Sequence, residues 1–197
     1  MPPAPEIPIS PLVVPLARRE LRRMLALVRL LYRLSRSTSY RRLVLPQLPE
    51  IARFDPGHAA LMMGYDFHLT PEGPRLIEVN TNAGGAYFAM LSETRARGVL
   101  PRRFRQRLLA SFQREWRDFS GSAEPLQRLL LVDEQPTQQP LYGEMQACSE
   151  WLRAEGVWAG IAAPEQLSAG CDGVTLDGAR IDLIYNRHCD FYLDAAS

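Results

Sequence analysis

Between residues 60 and 82 the side chains alternate with a period of two, break at a turn, and alternate again. Tyr65, Phe67 and Leu69 alternate with Asp66 and His68, Thr70-Pro71-Glu72-Gly73-Pro74 is turn chemistry, and Leu76, Ile77 and Val79 bracket Glu78 and Asn80. This pattern predicts a β-hairpin. Residues two apart on a strand share a face, so Asp66 pairs with His68 on one strand and Glu78 with Asn80 on the other. A turn centred on Glu72 sets Asp66 directly opposite Glu78. The apolar set Tyr65, Phe67, Leu69, Ile77 and Val79 is expected to pack on a core. Two carboxylates facing each other across a ladder repel, and each raises the other's pKa unless something neutralises them. A divalent cation does so. Mg²⁺ takes hard oxygen donors, often one or two carboxylates together with phosphate oxygens, and Asn80 adds a carbonyl oxygen at the right step. Asp66, Glu78 and Asn80 are therefore the expected metal ligands. The turn at Gly84-Gly85 lets backbone N–H groups approach an anion closely. The plain alternative is a solvated hairpin face with scattered acids. Two carboxylates and an Asn on facing strands, followed by a Gly-rich turn, favour the metal.

Around the hairpin the chain divides. Residues 2–15 carry six prolines and predict an extended arm. From 16 to about 37, Leu21, Met24, Leu25, Val28, Leu31 and Leu34 recur at helical spacing, decorated by Arg18, Arg19, Arg22, Arg23, Arg29, Arg33 and Arg36. The expectation is an amphipathic helix docked on its own domain with a solvated arginine face; a membrane-surface or nucleic-acid helix is the competing reading. Helices are predicted near Ala86 and over 101–119, the latter opened by Pro101. A linker at 120–125 separates a first part, 16–120, from a second, 125–197. In the second part, an apolar strand at 129–132, a helix over 141–155 closed by Gly156, a strand at 157–162, a short helical turn at 163–168, and strands at 174–176 and 181–185 predict a small α/β unit with a parallel sheet.

Composition narrows the chemistry. All 23 Lys and Arg positions are Arg, so no mechanism that needs a Lys on a phosphate or in a Schiff base is complete within these residues, and a phosphate-binding P-loop is excluded. Net charge is +1, which supplies no global field toward nucleic acid or a membrane; neither is expected as a partner. Cys148, Cys171 and Cys189 form no CxxC pair and suggest neither a disulfide framework nor a zinc site. Reduced thiols, the lack of an apolar run of ~18 residues and the lack of a signal-peptide pattern together predict a cytoplasmic protein.

The segments Gly64-Tyr65-Asp66-Phe67 and Leu76-Ile77-Glu78-Val79-Asn80-Thr81-Asn82 resemble the last two strands of the ATP-grasp fold. In that family an Asp, followed about a dozen residues later by Glu-x-Asn, holds the Mg²⁺ ions that bridge the ATP phosphates. The hairpin comes early and an α/β unit follows it, an order similar to the circularly permuted ATP-grasp proteins that include the synthetase half of glutathionylspermidine synthase. Arg128–Val132, the helix after it, and Ile181-Asp182-Leu183-Ile184-Tyr185-Asn186-Arg187 with Asp190-Phe191 resemble the pre-ATP-grasp unit of that group. The likeness spans residues 60–194. It departs at Gly64, where glutathionylspermidine synthase has an Arg, and in the absence of the Lys-bearing nucleotide lobe.

The resemblance implies an α/β fold: an ATP-grasp-type hairpin with helices, plus a small Rossmann-like parallel unit. It implies the N-terminal part of a ligase that activates a carboxylate with ATP and Mg²⁺ for attack by an amine or thiol, the ATP-binding lobe lying further on. The chain alone is then expected to bind ATP weakly and not turn over. Thr81, Asn82, Gly84 and Gly85 are the expected cofactor contacts. Arg187, at the C-terminal end of a parallel strand, is the expected catalytic residue, able to hold a substrate carboxylate bidentately; a structural pair with an acid is the alternative. His68 is placed to touch substrate or phosphate, or is simply an exposed strand histidine. Asp133 and Glu134 are weaker candidates, and the adjacent His188 and Cys189 point opposite ways. The competing function is a non-catalytic metabolite- or partner-binding module on a degenerate scaffold of the same kind.

Overall fold

A computed structural model describes residues 12, 14–55, 61–81, 83–97 and 102–189, with no side-chain description for 51, 52 and 93–97. Most of the Pro-rich arm, Pro101, Asn82 and the Asp190-Phe191 pair lie outside the described residues. The fold is mixed α/β, helices with three small sheets. Its elements form two units. One gathers α1 (Arg18–Ser35), α2 (Thr38–Val44) and a hairpin of β1 (Gly64–Thr70) and β2 (Gly73–Asn80). The other gathers α3 (Ala86–Arg97), α4 (Arg102–Ser120), β3 (Arg128–Val132), α5 (Tyr142–Ala154) and β4 (Trp158–Ala162). It continues with β5 (Leu167–Gly170), β6 (Gly173–Leu176), β7 (Ala179–Arg180) and β8 (Leu183–Asn186). The division does not follow the 120–125 linker, because α4 supplies Leu108, Phe112 and Trp116 to the same core as β3 and α5.

That core is built on a three-stranded parallel sheet of order β4-β3-β8. Leu129, Leu130 and Leu131 are wholly buried, as a central parallel strand covered on both faces requires. Alternation sends Leu129 and Leu131 into the cluster with Phe112, Trp116, Met145, Leu152 and Tyr185. Leu130 and Val132 face the other way, toward Ala162, Ile181, Trp158, Leu167 and Leu176. Helices therefore cover one face and the antiparallel meander β5-β6-β7 covers the other. Residues 174–176 thus belong to this meander and not to the parallel sheet. The helical turn expected at 163–168 shortens to a 3₁₀ turn over Pro164–Gln166, followed by β5. The meander is set by Asp177-Gly178, both left-handed at φ 50° and 76°, the pairing that a two-residue hairpin turn demands.

The hairpin unit is organised differently. Thr70 faces Gly73 across a tight turn, and Gly73, at φ 121°, lies under the guanidinium of Arg23 with no room for a Cβ. Arg23 also donates to the Glu72 carbonyl at 2.8 Å, which pins α1 to the turn. A bulge after Asp66 makes Ile77 the extra residue of β2. The expected packing of the hairpin's apolar set occurs only in part: Tyr65 and Phe67 are half-buried. Ile77 is 64% exposed, and Leu69 and Val79 are also exposed. A two-stranded sheet has little to cover it, and α1 and α2 themselves contain no buried residue.

Candidate functional site

Asp66 and Glu78 are direct partners in the β1–β2 register, and Gly64 pairs with Asn80. Directly opposite residues share a face, so the two carboxylates and Asn80 sit together at the open end of the hairpin. Asn80 Nδ2 donates to Glu78 Oε1 at 2.9 Å. Among the described residues no three His, Cys, Asp or Glu side chains gather closely enough to hold a metal by themselves. Two carboxylates and an amide oxygen fit a Mg²⁺ ion that keeps waters and phosphate oxygens, and do not fit an all-protein cage. His68 pairs with Arg75, not with an acid. Beyond the bulge it belongs to a different stretch of the ladder from Asp66. Thr81 follows β2 in the same unit.

Gly84, Gly85 and Arg187 belong to the other unit, and so does a polar cluster at the end of its parallel sheet. β4 lies on one side of β3 and β8 on the other, so the chain reverses direction across the sheet at β3. Ligands of open α/β sheets bind at such a reversal, beyond the strands' carboxyl ends. Asp133 and Glu134 follow β3 there, and Arg187 and His188 follow β8. His188 Nε2 stands 3.8 Å from Glu134 Oε2. Burial pushes the Asp133 carboxyl above its ordinary value, a shift opposed by the hydrogen bond from the Glu134 N–H and by the nearby Arg187. Burial likewise pushes the Tyr185 hydroxyl up, and that hydroxyl donates to the Ala83 carbonyl at 2.5 Å.

Arg187 is not an open carboxylate receptor in this arrangement. It is buried and ion-paired with Glu144, from the first turn of α5, which is also buried. Its guanidinium lies against Gly84 so closely that a Cβ there would collide with it. The pairing with an acid, the alternative to a catalytic role, is the arrangement present. Gly85, at φ 82°, precedes the first turn of α3 with open space where a Cβ would lie. Glu144 carries no signal in the sequence beyond its place one helical turn ahead of Cys148, whose buried thiol is pushed up in pKa and chemically quiet. A cavity of about 490 Å³ lies elsewhere in this unit, walled by Trp116 and Phe119 of α4 with Val174, Arg180, Ile181 and Leu183. No family model matches this chain, and comparison with curated proteins and with solved structures returned no significant match.

Proposed function

We propose that the hairpin is the metal-binding element of an ATP-grasp-type ligase and that the chain works as part of that enzyme. The observation that carries this reading is the direct opposition of Asp66 and Glu78, with Asn80 beside them. Facing carboxylates with no counter-charge destabilise a hairpin, and a cation shared with phosphate offsets that cost. Asp66 and Glu78 would each give Mg²⁺ a carboxylate oxygen, and Asn80 holds Glu78 in place through its amide. In this chemistry a substrate carboxylate takes the γ-phosphoryl group of ATP, and an amine or thiol then displaces phosphate from the acylphosphate. Bound Mg²⁺ would neutralise the charge on the transferring phosphate. Lysine contacts to ATP would come from outside these residues, since the sequence contains none. A cytoplasmic setting, where ATP and Mg²⁺ are available, belongs to the same reading.

The test is calorimetric titration of the chain with Mg²⁺ and a non-hydrolysable ATP analogue together. The expected outcome is weak, Mg²⁺-dependent binding that Asp66→Asn and Glu78→Gln each weaken about tenfold or more. Equal binding by parent and variants, or binding indifferent to Mg²⁺, would remove the metal from the account. The competing reading, a non-catalytic metabolite-binding module, is favoured by the cavity beside α4, whose volume and largely apolar walls suit a small molecule. It becomes the better reading if Mg²⁺ has no effect.

A further inference from the structure

The Arg-rich helix α1 uses only part of its apolar surface inside the protein. Met24, Leu27, Val28 and Leu31, at helical spacing, are half-buried. A second row, Leu21, Leu25 and Tyr32, stands 44%, 44% and 50% exposed. Beside it runs a third row, Arg18, Arg22, Arg29, Arg33 and Arg36, set four, seven, four and three residues apart and so on one face. Arg19 and Arg23 lean on Glu20, and Arg36 lies 5.9 Å over the Tyr32 ring. Arg18, Arg22, Arg29 and Arg33 have no acidic partner among the described residues. Residues 12–44 hold nine arginines and one glutamate, a local excess that the overall charge of +1 conceals. A helix docked on its own domain with a purely solvated outer face would not carry three large apolar side chains along that face.

We propose that α1 is a membrane-surface helix that lies along an anionic lipid bilayer, Leu21, Leu25 and Tyr32 entering the interface and the arginine row meeting lipid phosphates. A strongly amphipathic helix with basic residues flanking its apolar row has this chemistry, and arginine stems reach along apolar surface while the charge stays at the headgroups. Among the described residues no helix is long and apolar enough to cross a membrane, so the contact is peripheral. Two other partners fit less well. Nucleic acid needs the arginines but leaves Leu21 and Leu25 uncovered. A second copy meeting the same face across a two-fold axis brings the two arginine rows together. The proposal reverses the expectation of no membrane partner drawn from net charge, and it stands independently of the ligase reading.

The experiment is co-sedimentation of the full chain with vesicles of phosphatidylcholine alone and of phosphatidylcholine mixed with phosphatidylglycerol. Binding should appear only with the anionic vesicles and fall with added salt. The double change Arg22→Gln/Arg29→Gln should weaken it about thirtyfold. Leu25→Ser, at an exposed position, should weaken it about tenfold. Circular dichroism matching the parent's shows that these variants keep their fold. Absence of binding, or equal binding to both vesicle types, overturns the proposal. Full binding by Leu25→Ser, with competition by an RNA oligomer, overturns it in favour of nucleic acid. Self-association lost in Leu25→Ser, without vesicle binding, overturns it in favour of a second copy.

Discussion

Arg187 and Glu144 show how a side chain's role depends on its neighbours more than on its place in a strand. Both are buried, and the pair sits among Cys148, Tyr185 and Gly84 with almost no water to screen it. A buried ion pair contributes little net stability when intact, but losing one partner strands the other's charge. Glu144→Leu should therefore destabilise the chain by about 3–5 kcal/mol, and adding Arg187→Met should recover much of that loss. Chemical denaturation of the two variants checks this, and a double variant as unstable as the single one would contradict it. The sequence placed Arg187 beyond a parallel strand, which is where it lies. Its partner was hidden, because Glu144 is 43 residues away and nothing local marks it as buried. Asp133 is the reverse case. It ends an apolar strand in plain view, yet only the packing around it reveals the burial that raises its pKa.

At the scale of elements, periodicity identified most of what folds. The alternation and the turn residues marked the hairpin, but the turn centres between Pro71 and Glu72 rather than on Glu72, and the bulge at Ile77 is what brings Glu78 opposite Asp66; the run of leucines ending at Val132 marked the central parallel strand. Three things were less legible. The bulge at Ile77 coincides with the adjacent apolar pair Leu76-Ile77, a break in the alternation that does not by itself say that a residue is extra. The meander was written in Asp172-Gly173 and Asp177-Gly178, but its strands of two to four residues are too short for alternation to register. The exposure of Ile77, Val79 and Leu69 depends on what lies against the hairpin, and no period reports that. Gly73→Ala meets both a positive φ and the Arg23 guanidinium, so it should cost about 1–3 kcal/mol. Amide hydrogen exchange is expected to speed in β1 and β2 while β3, β4 and β8 keep their protection. Uniform loss across both units would show that the joint between α1 and the turn is not local.

Across the whole molecule, the two units differ in what holds them. The parallel-sheet unit has a continuous core on both faces of β3. The hairpin unit has half-buried contacts, the Arg23 pin and an Arg41–Asp55 pair at 2.8 Å. The better-built unit houses the buried polar cluster, and the less covered one carries the opposed carboxylates. If those carboxylates hold a cation, as proposed, thermal unfolding with and without Mg²⁺ reveals it. Saturating Mg²⁺ should raise the parent's Tm by about 5 °C. Asp66→Asn and Glu78→Gln should unfold above the metal-free parent, because the repulsion is gone, and should not respond to Mg²⁺. A parent indifferent to Mg²⁺, or variants that respond as it does, would overturn the proposed metal site.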